Sequence, residues 1–430
     1  NFCYRGYPML RGETLLEDLL DLLGRPRTEW AEMGAFGRQV VMEHYSVGRM
    51  TDDYLSAYDR LLHGRTPYRA VISGYYGYDN LGDDAILLAL SRQLSSVDPP
   101  VRLTVLSREP VKTARRFGLR AVPRFSPVRV FRALRNCDML ISGGGSLLQD
   151  RTSVRSLRYY LWVMRLAQLL RKPVFLLCNG VGPLDRKSSR EQVRRAVERC
   201  AAVSLRDTDS LAFLRDIGVT RQDITVTADP AFSLTAAGDG RDQLRALGVP
   251  EDRGIIGVSL RQVRNVREDL TAFAALFDRL SAETGRTILF LVMQEPGDSQ
   301  VSRVIQEKMT APSYVAPASA DAESMLGLIG CMDLLISMRL HTIIFAAKQR
   351  VPVVGCVYDP KVEAFLKLLH MPSCGTPAAL DVDGAANAAK ELLAHPQEAR
   401  EALDRKVTEM EREANEIGTW LLEKMGKPEI

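Results

Sequence analysis

Short apolar runs that alternate with amphipathic helical patterns constrain the fold of this chain more than any other feature. The runs begin near Tyr68 and include "RAVIS", "VFLLC" and "DLLIS". A strand with one exposed face alternates apolar and polar residues, whereas a continuously apolar strand is covered on both faces. The pattern is typical of parallel strands packed between helices, so the sequence predicts an α/β protein with doubly wound parallel sheets.

The alternation occurs twice along the chain. The first series spans residues 67–235 and is followed by a polar, glycine-bearing stretch that can serve as a linker, "LTAAGDGRDQLRALGVPEDRG". The second spans residues 236–385, and a long helical pattern follows over 386–430. We therefore expect two Rossmann-like domains with a cleft between them, closed by a carboxyl-terminal helical segment. Ligands of such sheets bind at the carboxyl ends of the strands.

Residues 1–66 differ, because their pattern predicts helices only. The stretch "MGAFGRQVVMEHYSVGRMTDDYLSAYDRLL" is similar to the closing segment of many retaining glycosyltransferases, although it carries no catalytic motif. We interpret this part as a glycosyltransferase-like tail ahead of a second enzyme, with an unrelated helical extension as the alternative. Since the chain opens on Asn1, we expect it to be a fragment of a longer product.

Composition narrows the class of protein. Hydrophobic residues make up 46% and charged residues 26% of 430 positions, as in ordinary globular proteins. A net charge of +4 does not favour nucleic acid as a partner. The seven cysteines form no CxxC pair, and no apolar run reaches the length of a membrane span. We expect a reduced, cytoplasmic protein with no metal and no cofactor.

The first strand-to-helix turn, "SGYYGYDNLGDDAIL", concentrates polar side chains at a strand end. Asp79 and Asn80 lie early in the turn, where they could meet a sugar hydroxyl. Asp83 and Asp84 lie where the next helix starts, and carboxylates there are often simple caps. The turn is not a GxGxxG fingerprint and lacks a phosphate-loop lysine, so it gives little support for nucleotide binding.

A triple glycine, Gly143, Gly144 and Gly145, follows the run "DMLIS". We interpret "LISGGGSLLQD" as a strand, a glycine turn and a helix. Backbone amides in such a turn, aimed by a helix N-terminus, can cradle an anion without a lysine. A tight turn with no ligand is the alternative.

Three further strand ends carry charge. Arg206 and Asp207 follow "AVSL", and a local salt bridge that ties the loop is the alternative to ligand binding. Asp229 precedes a proline at the end of the first domain, facing the expected hinge. Arg261 ends the first strand of the second domain.

The most informative stretch is "LLISMRLHTIIFAAKQRVPVVGCVYDPK". Arg339 and His341 stand where a buried strand passes into a helix, and Lys361 follows the next strand. A helix N-terminus disfavours protonated histidine, whereas a bound dianion favours it. A buried histidine with satisfied hydrogen bonds and a solvated lysine are the alternatives.

Eight motifs in order resemble the polysaccharide pyruvyltransferase family, and most closely the bacterial enzymes that modify cell-wall polysaccharide for S-layer attachment. The resemblance covers about residues 68–385, and the motifs are "GYYGYDNLGDDAIL", "LISGGGSLLQD", "FLLCNGVGPL", "SLRDTDS", "TADPAF", "GVSLRQ", "ISMRLHTIIFA" and "YDPKV". It implies a GT-B-like pair of Rossmann-type domains. It also implies transfer of pyruvate from phosphoenolpyruvate to a hexose as a 4,6-ketal. In the S-layer group the hexose is N-acetylmannosamine of a lipid-linked disaccharide precursor.

The resemblance assigns Arg339, His341 and Lys361 to donor binding or catalysis. We expect phosphoenolpyruvate, which carries nearly three negative charges, to meet Arg206, Arg261, Arg339, Lys361 and the amides of Gly143, Gly144 and Gly145. His341 is the expected acid or phosphate partner, with Asp79 or Asp84 as the base. Asn80, Asp83 and Asp229 are expected on the acceptor side. Because the implied acceptor is lipid-linked, peripheral contact with the inner face of the membrane is expected.

Two other functions remain open. A GT-B nucleotide-sugar glycosyltransferase shares the architecture, and it predicts a ribose-binding carboxylate for which only Glu363 is available after Lys361. A non-catalytic partner-binding module would not need Arg339, His341 and Lys361 on one rim.

Overall fold

The computed structural model describes residues 66–151, 153–261, 270–318 and 321–426, together with residues 23–44 and single positions at 16, 20, 50, 51, 54, 55 and 58. The chain divides into two compact units, Asn1–Pro67 and Tyr68–Ile430. In the first unit helix α1 spans Arg27–His44, within a segment predicted to be helical.

The second unit contains two parallel sheets, which confirms the predicted fold class. The strands are β1 Tyr68–Ser73, β2 Val101–Ser107, β3 Arg120–Pro123, β4 Met139–Leu148, β5 Val174–Val181, β6 Ala202–Leu205, β7 Ile224–Val226, β8 Ile255–Ser259, β9 Thr287–Leu291, β10 Ser313–Ala316, β11 Leu334–Ser337, β12 Val353–Gly355, β13 Gly375–Thr376 and β14 Ala379–Leu380. The strand order is β3-β2-β1-β4-β5-β6-β7 in the first sheet and β10-β9-β8-β11-β12 in the second. The order reverses between β1 and β4, and between β8 and β11, so each sheet has a ligand-binding crevice at that point.

Helices cover these sheets. They are α2 Leu81–Ser96, α3 Pro110–Phe117, α4 Pro127–Arg135, α5 Val154–Leu169, α6 Lys187–Glu198, α7 Thr208–Asp216, α8 Arg241–Ala246, α9 Leu270–Thr284, α10 Gly297–Gln306, α11 Ala322–Gly330, α12 Leu340–Lys348, α13 Pro360–Leu369, α14 Val382–Ala394, α15 Pro396–Asn415 and α16 Ile417–Met425. A short 3₁₀ helix spans Pro230–Ser233. No helix in the described part of the chain has the length and apolar character needed to cross a membrane.

One correction concerns the triple glycine. Gly143, Gly144 and Gly145 lie inside β4, and helix α5 begins only at Val154, so the expected strand-glycine-helix turn is wrong. A Cβ on Gly144 would overlap the side chain of Ile86. The missing side chains therefore let α2 pack against β4, and the sequence could not distinguish this from a turn because both need glycine.

The two sheets share one hydrophobic core. A single cluster of buried residues includes Ile72 beneath β1, Phe232 of the 3₁₀ helix and Leu335 of β11. A backbone hydrogen bond from Leu81 to the carbonyl of Met293 (3.0 Å) joins the start of α2 to the end of β9. The two domains of this unit thus meet through packed side chains and main chain.

The carboxyl-terminal helices strengthen this junction. Helix α15 packs on the 3₁₀ helix and α16 packs on α2, so the chain returns to the first domain after completing the second. The indole nitrogen of Trp420 donates to the hydroxyl of Thr225 at 3.1 Å. Leu421 is fully buried in the shared cluster.

We predict that Leu421→Ala lowers the free energy of unfolding by about 2–5 kcal/mol, because it removes buried methyl groups and leaves a cavity. Chemical denaturation measures the change. Glu423→Ala, at an exposed position on the same helix, is the control and should change stability little. Equal, small effects of both substitutions would contradict a packed α16.

Candidate active site

The site is built at the carboxyl ends of strands from both domains. Arg206 follows β6 and Asp229 follows β7 in the first sheet, while Arg339 and His341 follow β11 in the second. Asp229 caps the 3₁₀ helix through a hydrogen bond from the amide of Ala231 to Oδ1 (3.1 Å). Its second oxygen is thereby directed to the charged groups around it.

Asp229 joins the two domains electrostatically. Its Oδ2 lies 3.1 Å from Nη1 of Arg206 and 4.0 Å from Nε2 of His341. Arg206 also donates to the hydroxyl of Ser146 at 2.9 Å. Asp229 was expected to bind the acceptor, but the structure places it as a buried carboxylate between the arginine of one domain and the histidine of the other.

The Arg339 turn is held by local hydrogen bonds. The amide of Arg339 donates to the hydroxyl of Ser337 at 2.9 Å, and Ser337 shares a 2.7 Å hydrogen bond with Thr342. The Arg339 guanidinium pairs with the buried Asp298, which also accepts hydrogen bonds from the amides of Met293 and Gln294. These bonds explain why a serine and a threonine flank the Arg-x-His stretch.

His341 lies in the first turn of α12 and packs against the other domain. A Cβ on Gly82 would overlap its imidazole, so the start of α2 needs glycine there. Within the described structure Nε2 of His341 is buried without a hydrogen-bond partner. The pKa of His341 is lowered to about 4 by burial, the largest cause, and by the positive charges of Arg206 and Arg339, against the opposing effect of Asp229. The imidazole is therefore neutral at pH 7.

Lys361 and Arg261 continue the cationic side of the site. Lys361 lies in the first turn of α13, where its amide donates to the capping Asp359 at 3.0 Å. Burial, and then the positive charge of Arg206, lowers the pKa of Lys361 to about 8. Arg261 donates to the hydroxyl of Tyr358 at 3.2 Å, and its guanidinium lies 5.0 Å from the centre of that ring.

The three aspartates near the start of α2 have different surroundings. Asp84 pairs with Arg116 at 2.6 Å, and the exposed Asp79 pairs with Lys112 at 2.7 Å. Asp83 instead interacts with Arg206, Asp229 and Arg339. The sequence predicts Asp79 or Asp84 as the base, but in the structure Asp83 is the aspartate of this turn that is affected by the charges of Arg206, Asp229 and Arg339. Asn80 uses its side chain to cap α2 through the amide of Gly82 at 3.2 Å.

Asp83 is protonated at pH 7 by its environment. The pKa of Asp83 is raised to about 8, mainly by burial and then by the negative charges of Asp84 and Asp229, while Arg206 and Arg339 oppose the shift. Burial also raises the pKa of Asp84 to about 6, against the effect of Arg116. The cluster thus contains a carboxylic acid and a neutral imidazole whose pKa values have been moved in opposite directions.

A cavity of about 870 Å³ lies beside this cluster. Asp79, Asp84, Lys112 and Arg116 line it together with Met293 of the second domain. Leu81 and Asp84 line the cavity, whereas Gly82 packs against His341, so the first turn of α2 lies between the cavity and the histidine. Among the described residues, no group of three or more His, Cys, Asp or Glu side chains is arranged to hold a metal ion.

Sequence reasoning did not single out Arg124, which follows β3. Its buried guanidinium lies 4.3 Å from the ring centre of Tyr159 and also stacks near Tyr78 and Tyr160. Nη1 of Arg124 donates to the carbonyl of Gly74 at 3.0 Å. The signal that could have found it is an arginine directly after a strand. The apolar pattern did not reveal that strand, because it is short.

The raised pKa of Asp83 predicts a pH-dependent stability. An unfolded aspartate ionises near pH 4, whereas folded Asp83 ionises near pH 8, so stability is lost as pH rises between these values. Asp83→Asn cannot ionise and should gain at least about 2 °C in Tm over the parent at pH 8 relative to pH 5. Thermal unfolding at the two pH values measures this. The exposed Asp79→Asn is the control, and an equal gain there would contradict the assignment.

Comparison with known folds supports the two-domain architecture. The UDP-GlcNAc 2-epimerase of Neisseria meningitidis, solved with UDP-GlcNAc, superposes with a TM-score of 0.55 at 11% identity, covering 83% of this chain and 98% of that one. HepE of Anabaena, solved with UDP and glucose, gives a TM-score of 0.58 at 11% identity, covering 83% and 99%. These likenesses show a GT-B-like fold.

Sequence comparison identifies the family. Amylovoran biosynthesis protein AmsJ of Erwinia amylovora is 23% identical over 271 residues, which cover 58% of this chain and 64% of AmsJ. The chain therefore spans less than two thirds of that relative's length. The sequence model of polysaccharide pyruvyl transferases matches residues 80–360, which include Asp83, Arg206, Asp229, Arg339 and His341. The chain belongs to the polysaccharide pyruvyl transferase family.

Proposed function

We propose that the protein transfers the pyruvyl group of phosphoenolpyruvate to a hexose of a polysaccharide precursor, forming a 4,6-ketal. The finer part of the proposal is that the hexose is N-acetylmannosamine of a lipid-linked cell-wall precursor used for S-layer anchoring. Family membership supports the pyruvyl transfer, and the relative AmsJ is named for amylovoran biosynthesis. The donor and the acceptor follow from the family resemblance and the charge of the site.

The observation that carries the proposal is the gathering of Arg206, Arg339 and His341 at the junction of the two domains, with Lys361 close enough to Arg206 to be affected by its charge. Burial is the main cause that lowers the pKa of His341 and of Lys361, and the positive charge of Arg206 adds to both shifts. A nearby positive charge disfavours the protonated form of a histidine or lysine. A ligand with a carboxylate and a phosphate would relieve this repulsion and raise both pKa values. In the described structure the Nε atom of Arg339 and Nε2 of His341 have no hydrogen-bond partner, so both can interact with a ligand.

The protonation states suggest that Asp83 acts as the acid and His341 as the base. Asp83, protonated at pH 7, would donate its proton to C3 of the enol and leave C2 electrophilic. Neutral His341 would accept the proton of the sugar hydroxyl that adds to C2. Departing phosphate takes up the proton of the second hydroxyl as the ketal closes. The proton held by His341 returns to Asp83 after turnover, so one hydroxyl proton ends on the new methyl group and the other on phosphate.

This assignment differs from the expected roles of the same residues. His341 was expected to act as the acid or phosphate partner, with Asp79 or Asp84 as the base. The ion pairs of Asp79 with Lys112 and of Asp84 with Arg116 leave them less suited to proton transfer. Asp83, expected on the acceptor side, is the carboxyl that interacts with the arginines around His341.

Nucleotide-sugar transfer is less well supported. The carboxylate available to hold a ribose, Glu363, pairs with Lys367 at 2.6 Å on the surface of α13. The structural neighbours with UDP share the fold at 11% identity, and fold alone does not define a substrate.

The donor proposal predicts selective stabilisation. Phosphoenolpyruvate should raise the Tm of the protein, whereas UDP-sugars should not. Lys361→Ala should weaken phosphoenolpyruvate binding roughly ten- to hundredfold, because it removes a charged hydrogen-bond donor. Lys367→Ala, on the exposed face of the same helix, is the matched control. Stabilisation by UDP-sugars alone would overturn the proposal in favour of glycosyl transfer.

Turnover is tested by incubating the protein with phosphoenolpyruvate and a panel of acceptor disaccharides and following the mass gain of a pyruvate ketal. His341→Ala should lower kcat roughly 10²- to 10⁴-fold while circular dichroism shows a retained fold. Full activity of that variant would exclude His341 from the chemistry.

The pH profile separates the acid from the lysine. The kcat/KM of the parent should fall above about pH 8, as Asp83 loses its proton and Lys361 its charge. Lys361→Arg keeps the positive charge at high pH, so a persisting alkaline fall belongs to Asp83. Asp83→Asn should show little residual activity and no such fall. Disappearance of the fall in Lys361→Arg would contradict the role of Asp83.

A further inference from the structure

Helices α4 and α5 carry a face that the proposed chemistry does not use. Neither helix contains an acidic residue, and both are rich in arginine. Their inward residues, such as Val130 and Leu157, are buried against the first sheet. The outward residues therefore form a surface whose composition is not constrained by packing of the core.

The outward face of α5 has a regular composition. Arg155, Arg158, Trp162, Arg165 and Leu169 recur at spacings of three and four residues, and all five are exposed. Residues at this spacing share one side of a helix. Since α5 has 16 residues, the stripe is about 24 Å long at 1.5 Å per residue.

Apolar side chains extend this stripe onto α4 and the turn before it. Phe125 is 66% exposed, Val128 60% and Leu169 72%. Phe125 contacts Tyr159 edge to face at 5.9 Å between ring centres, and Tyr159 lies 6.2 Å from Trp162. The aromatic contacts make one continuous patch, which we call the arginine-aromatic face: Phe125, Val128, Phe131, Arg132, Arg135, Arg155, Arg158, Trp162, Arg165 and Leu169.

The far end of this face is a basic hollow. A cavity of about 610 Å³ is lined by Arg165, Leu169, Arg171, Lys172 and Arg199, together with Gln168 and Pro173. Its lining contains no acidic residue. The acidic residues of the adjoining turns are engaged elsewhere, Asp138 with Arg69 at 3.2 Å and Asp185 with Arg151 at 3.5 Å, and Asp150 is buried.

We propose that the arginine-aromatic face docks the protein on a membrane surface of anionic phospholipid. Interfacial helices bury an apolar face at the headgroup boundary while their arginines meet lipid phosphates. Nucleic acid would pair with the arginines and could stack on Phe125, but it offers nothing to the exposed aliphatic side chains of Val128 and Leu169. The combination of charge with exposed aromatic and aliphatic side chains favours a lipid surface.

The position of the face relates it to the active site. Arg124, next to Phe125, donates to the carbonyl of Gly74 at the carboxyl edge of β1. The aromatic end of the face therefore adjoins the carboxyl end of β1, the strand that leads into α2 and Asp83. This proximity would suit a lipid-linked acceptor, but the docking inference rests on exposure and charge and not on the proposed reaction.

Vesicle sedimentation of the full chain tests the proposal. The protein should sediment with vesicles of phosphatidylcholine and phosphatidylglycerol, remain in solution with phosphatidylcholine alone, and be released by high salt. Arg158→Gln with Arg165→Gln should weaken binding roughly tenfold or more. Phe125→Ser with Val128→Ser should also weaken it several-fold, since apolar contact is lost.

Two matched variants serve as controls. Arg400→Gln with Arg405→Gln removes two exposed arginines of α15, and Val304→Ser with Leu368→Ser removes two exposed apolar residues elsewhere. Both should bind vesicles like the parent. Equal binding to neutral vesicles, no binding, or equal binding by every variant would overturn the proposal. Loss in the arginine variant without loss in the Phe125 variant would also overturn it, indicating a polyanion site.

Activity with a soluble acceptor should be unchanged in the face variants. Retained vesicle binding without any phosphoenolpyruvate-dependent product would refute the proposed reaction while leaving the docking surface intact.

Discussion

The active site depends on the contacts that the carboxylate of Asp229 makes with groups of both domains. This carboxylate is buried, it holds Arg206 of the first domain at 3.1 Å, and it lies 4.0 Å from His341 of the second. Burial of a carboxylate is costly unless cations and hydrogen-bond donors surround it, so Asp229 favours the arrangement in which both domains contribute. Burial, modified by the neighbouring charges, sets the protonation states of Asp83, His341 and Lys361 through their pKa values. Packing of α15 and α16 across the junction keeps these groups in place.

Most of the fold could be predicted, because strands that are buried on both faces appear in the sequence as continuous apolar runs. Every charged residue that was predicted to follow a strand, from Arg206 to Lys361, does follow one in the structure. β3 was missed because "RAVP" is short and only partly buried, and the β13–β14 hairpin because two residues per strand carry no periodicity. The glycines of β4 were misassigned to a turn, since sequence does not reveal that α2 lies against them.

The site was only partly predictable, for a geometric reason. Arg339, His341 and Lys361 stand at strand ends, and that position is readable from the apolar pattern. Which of Asp79, Asp83 and Asp84 faces the cluster depends on the rotation of the first turn of α2. A one-residue step turns a helical side chain by about a hundred degrees, and hydrophobic pattern does not fix it at a polar terminus. The partners Arg116 and Lys112, which hold Asp84 and Asp79 away, come from a different helix.

The contact between Gly82 and His341 has a consequence for how this chain can vary. The two residues belong to different domains, yet a single added carbon at position 82 would overlap the imidazole. Neither domain can therefore change its part of the contact without an answering change in the other. If the first domain were exchanged for that of a distant relative, the start of the new helix would not be matched in shape to His341. The two domains that form this active site must therefore change together, and a mismatched pair would first clash at positions 82 and 341.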